Sequence, residues 1–340
     1  MTQLKALKGP AVDCGPVVGI GTPFHELGAV LDFCGMNGFK GIQMPAEETR
    51  LMDVAKAAES QEYCDELAGQ LKTREMVWSG MSAPDAGEAL GAHRVYHPLL
   101  RSAEGAQARL RMAIGASKRL GIGTLVTVSG PLLWPFAHAR RELEAGLVED
   151  SFRELARRWL PVLDACHDAG VQLCFLPRSG QDVHDGASFE RFLSAVSNHP
   201  AAGIAYHPAH LLVQQVDYLE FINVYAERIG VFLMADAEFL PNGRSGAHGG
   251  FQPAVARAPR MRSPGDGSMD FAGMFSLLMS CGYGGWVTLD YACVLKHAMV
   301  GIREGQQAIE RNMILPQPGV EAAREEAGDP ARNRRLLGLD

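Results

Sequence analysis

Polar residues able to do chemistry recur in this chain just after short apolar stretches. Thr127-Val128-Ser129-Gly130 closes one stretch, Leu176-Pro177-Arg178 a second, and Tyr206-His207-Pro208-Ala209-His210 a third. Ala235-Asp236-Ala237-Glu238 and Asp290-Tyr291 close two more; Arg262 and Gly265-Asp266-Gly267 lie between them, and Lys296 and His297 follow. An imidazole titrates near neutrality, so His207 with Asp290 reads as an acid/base pair. Arg178 offers a fixed charge and several donors to an oxygen on which negative charge develops. His210, Asp236, Glu238, Arg262 and Asp266 are the candidate substrate contacts. The competing roles are structural: Asp236 and Asp266 as helix caps or turn braces, and His210 as a partner for buried carbonyls.

Such side chains meet only if the apolar stretches are parallel strands that end on one face. The β-branched and apolar runs at 17–20, 39–44, 76–79, 124–128, 171–176, 203–206, 231–234 and 286–289 read as eight strands. Amphipathic segments alternate with them. One carries Leu27, Val30, Leu31 and Cys34 on a single helical face and stops at Gly38; another, 51–73, breaks at Ser60, a good N-cap. Further helices are expected at 103–120, 149–169 (interrupted by Pro161), 188–197, 216–227, 270–281 and 300–311. Eight strand–helix units predict a (β/α)8 TIM barrel, α/β in class, over residues 1–315, with functional side chains at the carboxyl ends of the strands. Residues 316–340 read as a polar C-terminal tail, mobile or at an oligomer interface. Two long post-strand segments, 80–100 and 236–268, read as lids or substrate walls.

Composition narrows the function. The net charge is −7 and the pI about 5.9, and basic residues alternate with acids, so no stripe suits a nucleic-acid partner. No apolar run approaches the ~18 residues of a membrane span, and the N-terminal residues lack a signal-like apolar core. Seven cysteines, an odd number without a CxxC, read as reduced and mostly buried, and they form no zinc knuckle. A cytoplasmic protein without membrane or nucleic-acid partners is expected.

Several runs are specific enough to show kinship. Asp182-Val183-His184-Asp185-Gly186, Pro208-Ala209-His210, Asp236-Ala237-Glu238-Phe239, Arg262-Ser263-Pro264-Gly265-Asp266-Gly267 and Leu295-Lys296-His297 resemble a branch of the xylose-isomerase-like sugar phosphate isomerase/epimerase superfamily. Ala55-Lys56-Ala57-Ala58-Glu59-Ser60, Val126-Thr127-Val128-Ser129-Gly130 and Trp134-Pro135 fit as well, so the likeness spans nearly all of the chain except the tail. The resemblance implies a barrel that binds one divalent cation (Mn, Mg, Co or Zn) through strand-end Glu, Asp, His and Glu. The two Glu residues move protons beside a carbonyl that the metal polarises.

This chain departs from that pattern. The four ligand positions implied by the resemblance are Leu176, His207, Leu233 and Asp290, and leucine has no lone pair to give a metal. Arg178 and Gln181 stand where the branch has His and Glu, and Ala235 where it has Lys. The expectation is therefore no cofactor, with a divalent metal only on a relocated site drawn from His207, His210, Asp236 or Glu238. The leading function is a divergent sugar isomerase or epimerase, or related lyase, acting on a sugar, keto-sugar or related polyol by proton transfer next to a carbonyl. The alternatives are a catalytically inactive pseudoenzyme, serving as partner or regulatory subunit of an active paralogue, and a sugar-binding protein. A small carbohydrate-like ligand and a homo-oligomer are the partners that the resemblance implies.

Overall fold

The computed structural model describes residues 5–93, 103–137, 143–247, 252–314 and 334–339. Its strands are β1 (Lys8–Asp13), β2 (Gly41–Pro45), β3 (Val77–Ser82), β4 (Thr124–Thr127), β5 (Gln172–Phe175), β6 (Ala202–Tyr206), β7 (Ile229–Met234), β8 (Asp236–Phe239), β9 (Pro259–Arg262) and β10 (Trp286–Leu289). Eight of them close a parallel barrel in the order β1-β10-β7-β6-β5-β4-β3-β2, the expected (β/α)8 architecture. The other two, β8 and β9, form an antiparallel ribbon directly after β7.

Alternation along the strands separates two apolar layers. Leu125, Leu173, Phe175, Ile204 and Phe232 point outward and join the main core between strands and helices. Val126, Val128, Cys174, Leu176, Ala205, Val231 and Leu233 point inward and pack on one another inside the barrel. The helices bury the faces their periodicity requires. Helix Leu147–Ala169 sinks Phe152, Leu155, Trp159, Leu163 and Cys166, continues through Pro161, and stops at Gly170 in the left-handed conformation (φ 69°). Ser60 does cap helix Gln61–Lys72, and Asp270 caps helix Phe271–Ser280. Helix Pro84–Gly91 lies against the end of β4 so closely that a Cβ on Gly91 would meet the Ser129 carbonyl oxygen at 1.9 Å, so only glycine fits there.

One expected strand is wrong. Residues 17–20 are not extended; Val17 and Val18 lie in the short helix Cys14–Val18, and the first strand precedes it. The apolar run reads as a strand, but Asp13 accepts a hydrogen bond from the Gly15 N–H at 2.8 Å and starts a helix there. The true strand escaped notice because it contains Gly9 and Pro10, both poor strand formers.

The two expected loops are partly ordered elements. The first holds the end of β3 and helix Pro84–Gly91, and the second holds the β8–β9 ribbon; residues 94–100 and 248–251 of them lie outside the described residues. The expected tail lies outside them too, apart from 334–339, where Leu336, Leu337 and Leu339 are exposed. All seven cysteines are free and five are buried. No helix among the described residues is long and apolar enough to cross a membrane.

Candidate active site

Strand register brings a row of polar side chains to the barrel mouth. Ala11 pairs with Thr288 and Val12 with Leu289, so the next residues, Asp13 and Asp290, come side by side. On the other flank Asp13 pairs with Gln43. Three neighbouring strands, β10, β1 and β2, thus present Asp290, Asp13 and Gln43 in sequence. Asp13 is held from two sides: Gln43 Nε2 donates to one carboxylate oxygen at 2.6 Å and the Gly15 N–H to the other at 2.8 Å. Those donors favour the charged form, but burial and then the neighbouring Asp290 charge outweigh them and raise Asp13 to about 7. A carboxyl that titrates near neutrality exchanges protons readily under ordinary conditions.

His207 reaches the same place from β6. It is the N-cap of helix Pro208–Val213, and its Nδ1 accepts from the His210 N–H at 3.3 Å, while Pro208 occupies the first helical position, where no donor is needed. Accepting at Nδ1 fixes the proton on Nε2, which lies 3.4 Å from Asp290 Oδ2. His207 is buried, whereas about 30% of the Asp290 side chain is exposed, so the carboxylate is the accessible member of the pair. The His210 ring stacks against His207 with centroids 4.2 Å apart. Burial first, then His207 and Arg178, hold His210 well below the usual histidine range and therefore neutral.

Arg178 stands beyond His210, 3.5 Å from Glu88 of helix Pro84–Gly91. A cleft of about 410 Å³ opens between them, lined by Glu88, Pro131, Arg178, Gln181, His210 and Val213. Of the predicted residues, His207, Asp290, His210 and Arg178 thus share the mouth. Asp13 was missed with the misplaced first strand, and Gln43, inside the correctly placed second strand, was missed because an amide within an apolar run carries no signal of chemistry. Asp13 had left a signal, an Asx cap ahead of Gly15-Pro16, but that signal speaks of a turn.

The other four predicted contacts are occupied elsewhere. Asp236 is buried and accepts backbone N–H bonds from Ala237 (2.8 Å), Gly265 (2.8 Å), Gly267 (2.9 Å) and Met269 (3.4 Å), so it braces the loop after β9. Glu238 lies between Arg260 at 2.6 Å and Arg262 at 2.5 Å on the ribbon. Asp266 pairs with Lys296 at 2.6 Å, and Lys296 also reaches Glu304. These ties engage Asp236, Glu238, Arg262 and Asp266 within the ribbon and its following loop, while Arg262 Nε is buried without a partner.

A divalent cation does not fit the donors present. Leu176 and Leu233 pack into the inner apolar cluster. Among the described residues no three His, Cys, Asp or Glu side chains come together in a way that could hold a metal ion, and the relocated set of His207, His210, Asp236 and Glu238 is not assembled.

The family model described as xylose isomerase-like TIM barrel matches residues 31–312. No curated protein sequence matches the chain. Among solved structures, the xylose isomerase domain protein from Planctomyces limnophilus superimposes with a TM-score of 0.63 at 12% identity, over 91% of this chain and 98% of its own. A structure of L-ribulose 3-epimerase gives 0.62 at 15% identity, over 94% and 97%. The probable 3-DHS dehydratase of petrobactin synthesis from Bacillus anthracis gives 0.64 at 12%, over 89% and 99%.

Proposed function

Because the chain belongs to the xylose isomerase-like TIM barrel family, we propose that it is a divergent sugar isomerase or epimerase that works without a resident divalent cation. Its substrate is a sugar, keto-sugar or related polyol, and its reaction is proton transfer at the carbon next to the carbonyl. The observation that carries this reading is the constellation of Asp13, raised to about 7, beside an accessible Asp290 that faces His207 Nε2.

In this reading Asp290 takes the proton from carbon, and the electron pair moves onto the carbonyl oxygen as an enediolate. His207 Nε2–H faces the Asp290 carboxylate and fixes its orientation. Asp13 in its acid form gives its proton to the enediolate oxygen; Asp290 then returns its proton to the neighbouring carbon as the other enediol hydroxyl gives up its proton to Asp13, which restores both carboxyls and forms the product carbonyl. Arg178 supplies the positive charge that stabilises the enediolate. No step passes through a metal.

Deuterium wash-in tests the proposal. Purified protein, treated with chelator, is incubated in D2O with D-fructose, D-tagatose, D-psicose and the 2-ketopentoses, and proton NMR follows the C3 and C1 positions. The expected result is enzyme-dependent loss of proton signal for at least one ketose, reduced about 100-fold or more by Asp13→Asn or by Asp290→Asn. Exchange unaffected by both substitutions refutes the assignment. Tight binding without exchange by the unaltered protein replaces catalysis with sugar binding.

A further inference from the structure

The circular strand order sets each group of the mouth opposite a particular partner. In a ring of eight, β1 lies across from β5, β10 across from β4, and β6 across from β2. Asp13 therefore faces Leu176 across the barrel, and Asp290 faces Val128. One side of the mouth carries carboxyls, and the side facing it is aliphatic. Leu176 and Val128 belong to the inner cluster with Val126, Cys174 and Val231, so the wall is aliphatic at that level, with Arg178 two residues beyond Leu176 at its rim.

The polar side carries more hydrogen-bonding capacity than its neighbours use. Gln43 is 2% exposed and Thr288 is fully buried, yet Gln43 Oε1 and Thr288 Oγ1 have no partner. Buried polar atoms are rarely left unpaired without a use. Both sit on the strands that carry Asp13 and Asp290 or flank them, and Ser79 Oγ of β3 is likewise buried without a partner, so the unmet capacity lies along one arc, β10-β1-β2-β3.

We propose that the substrate of this site is two-sided, a keto compound with hydroxyls along the edge that meets Asp13, Asp290 and Gln43, with Thr288 buried beneath them, and with methyl or methylene carbon along the edge that meets Leu176, which Val128 backs. The inference rests on the proton-transfer reading of the same site and narrows its substrate class from polyols in general to deoxygenated ones. A hydroxyl pressed onto the aliphatic wall exchanges its water for nothing. That loss predicts roughly tenfold weaker binding for each misplaced hydroxyl.

Titration calorimetry with D-fructose, D-tagatose and the 1-deoxy and 6-deoxy forms of each tests this. The expected result is that at least one deoxy ketose binds about ten times more tightly than its hydroxylated parent. Leu176→Gln is expected to bring that ratio below about three, and Val128→Thr, which keeps the shape of the side chain, does the same if the first variant folds poorly. Parents that bind as tightly as every deoxy form, no binding by any of the six, or a ratio unmoved in both variants overturn the proposal. Deuterium exchange in the same samples separates the two claims. A deoxy preference without exchange removes the proton-transfer reading and leaves the two-sided pocket; exchange on hydroxylated parents without that preference does the reverse.

Discussion

Replacing Asp13 by Asn tests the electrostatics of the mouth without any substrate. In the folded protein the carboxyl is raised from 3.8 to about 7, with burial the largest cause and Asp290 the next. At ~1.4 kcal/mol per pKa unit, that displacement is worth about 4 kcal/mol. Its sign follows from linkage. A folded-state value above the unfolded one means that the contribution is fully present below about pH 3.8, falls as pH rises, and is gone above about pH 7. Asparagine has the same shape and never ionises. Its Oδ1 can keep the Gly15 N–H bond, and its Nδ2 can donate to Gln43 Oε1, which has no partner in the native protein. The free energy of unfolding of Asp13→Asn, minus that of the native sequence, is therefore expected to rise by about 2–3 kcal/mol between pH 5 and pH 9. Urea unfolding followed by circular dichroism at several pH values measures it. A difference that stays flat with pH means that Asp13 does not titrate near 7, and the acid assigned to it is lost.

Asp290→Asn removes the second cause of the raised Asp13, so the pH at which Asp13 ionises is expected to fall, as read by carboxyl carbon NMR of the variant against the native protein. His207→Asn keeps an oxygen to cap helix Pro208–Val213 but loses the proton facing Asp290. Stability is expected to hold within about 0.5 kcal/mol while deuterium exchange drops about 100-fold, and His207→Leu is expected to lose about 1 kcal/mol of stability as well. Asp236→Ala strands four backbone donors at once and is expected to cost at least about 3 kcal/mol. Loss of amide protection at Gly265 and Gly267 would place that damage in the loop after β9.

The barrel was legible because seven of its strands are apolar runs bounded by turn residues, and because amphipathic helices alternate with them. The same periodicity placed His207, Asp290, His210 and Arg178 at strand ends, where the structure does gather them. β1 was hidden because Lys8-Gly9-Pro10-Ala11-Val12-Asp13 has weak strand propensity, while the more apolar Val17-Val18-Gly19-Ile20 nearby becomes helix and turn. Asp13 went with it, since a residue assigned to a turn cannot be placed in a barrel. Asp236, Glu238 and Asp266 had the right types in the right segment, but a sequence does not display which donors fold back upon a carboxylate. The Gly265 and Gly267 amides that claim Asp236 come from 29 and 31 residues further on.

The pairing of β1 with β10 has a consequence for assembly. These are the first and last strands of the ring, and their contact is the seam that shuts it. Asp13 and Asp290 stand at the top of that seam, so the acid pair exists only after the ends of the domain have found each other. A partly folded barrel, open at this joint, can bury its helices and still hold no adjacent carboxyls. Alkaline pH puts two like charges across the joint itself, so amide exchange at Val12 and Leu289 is expected to accelerate there before it does in β4 or β5. Chemical competence in this chain would then report closure of the ring.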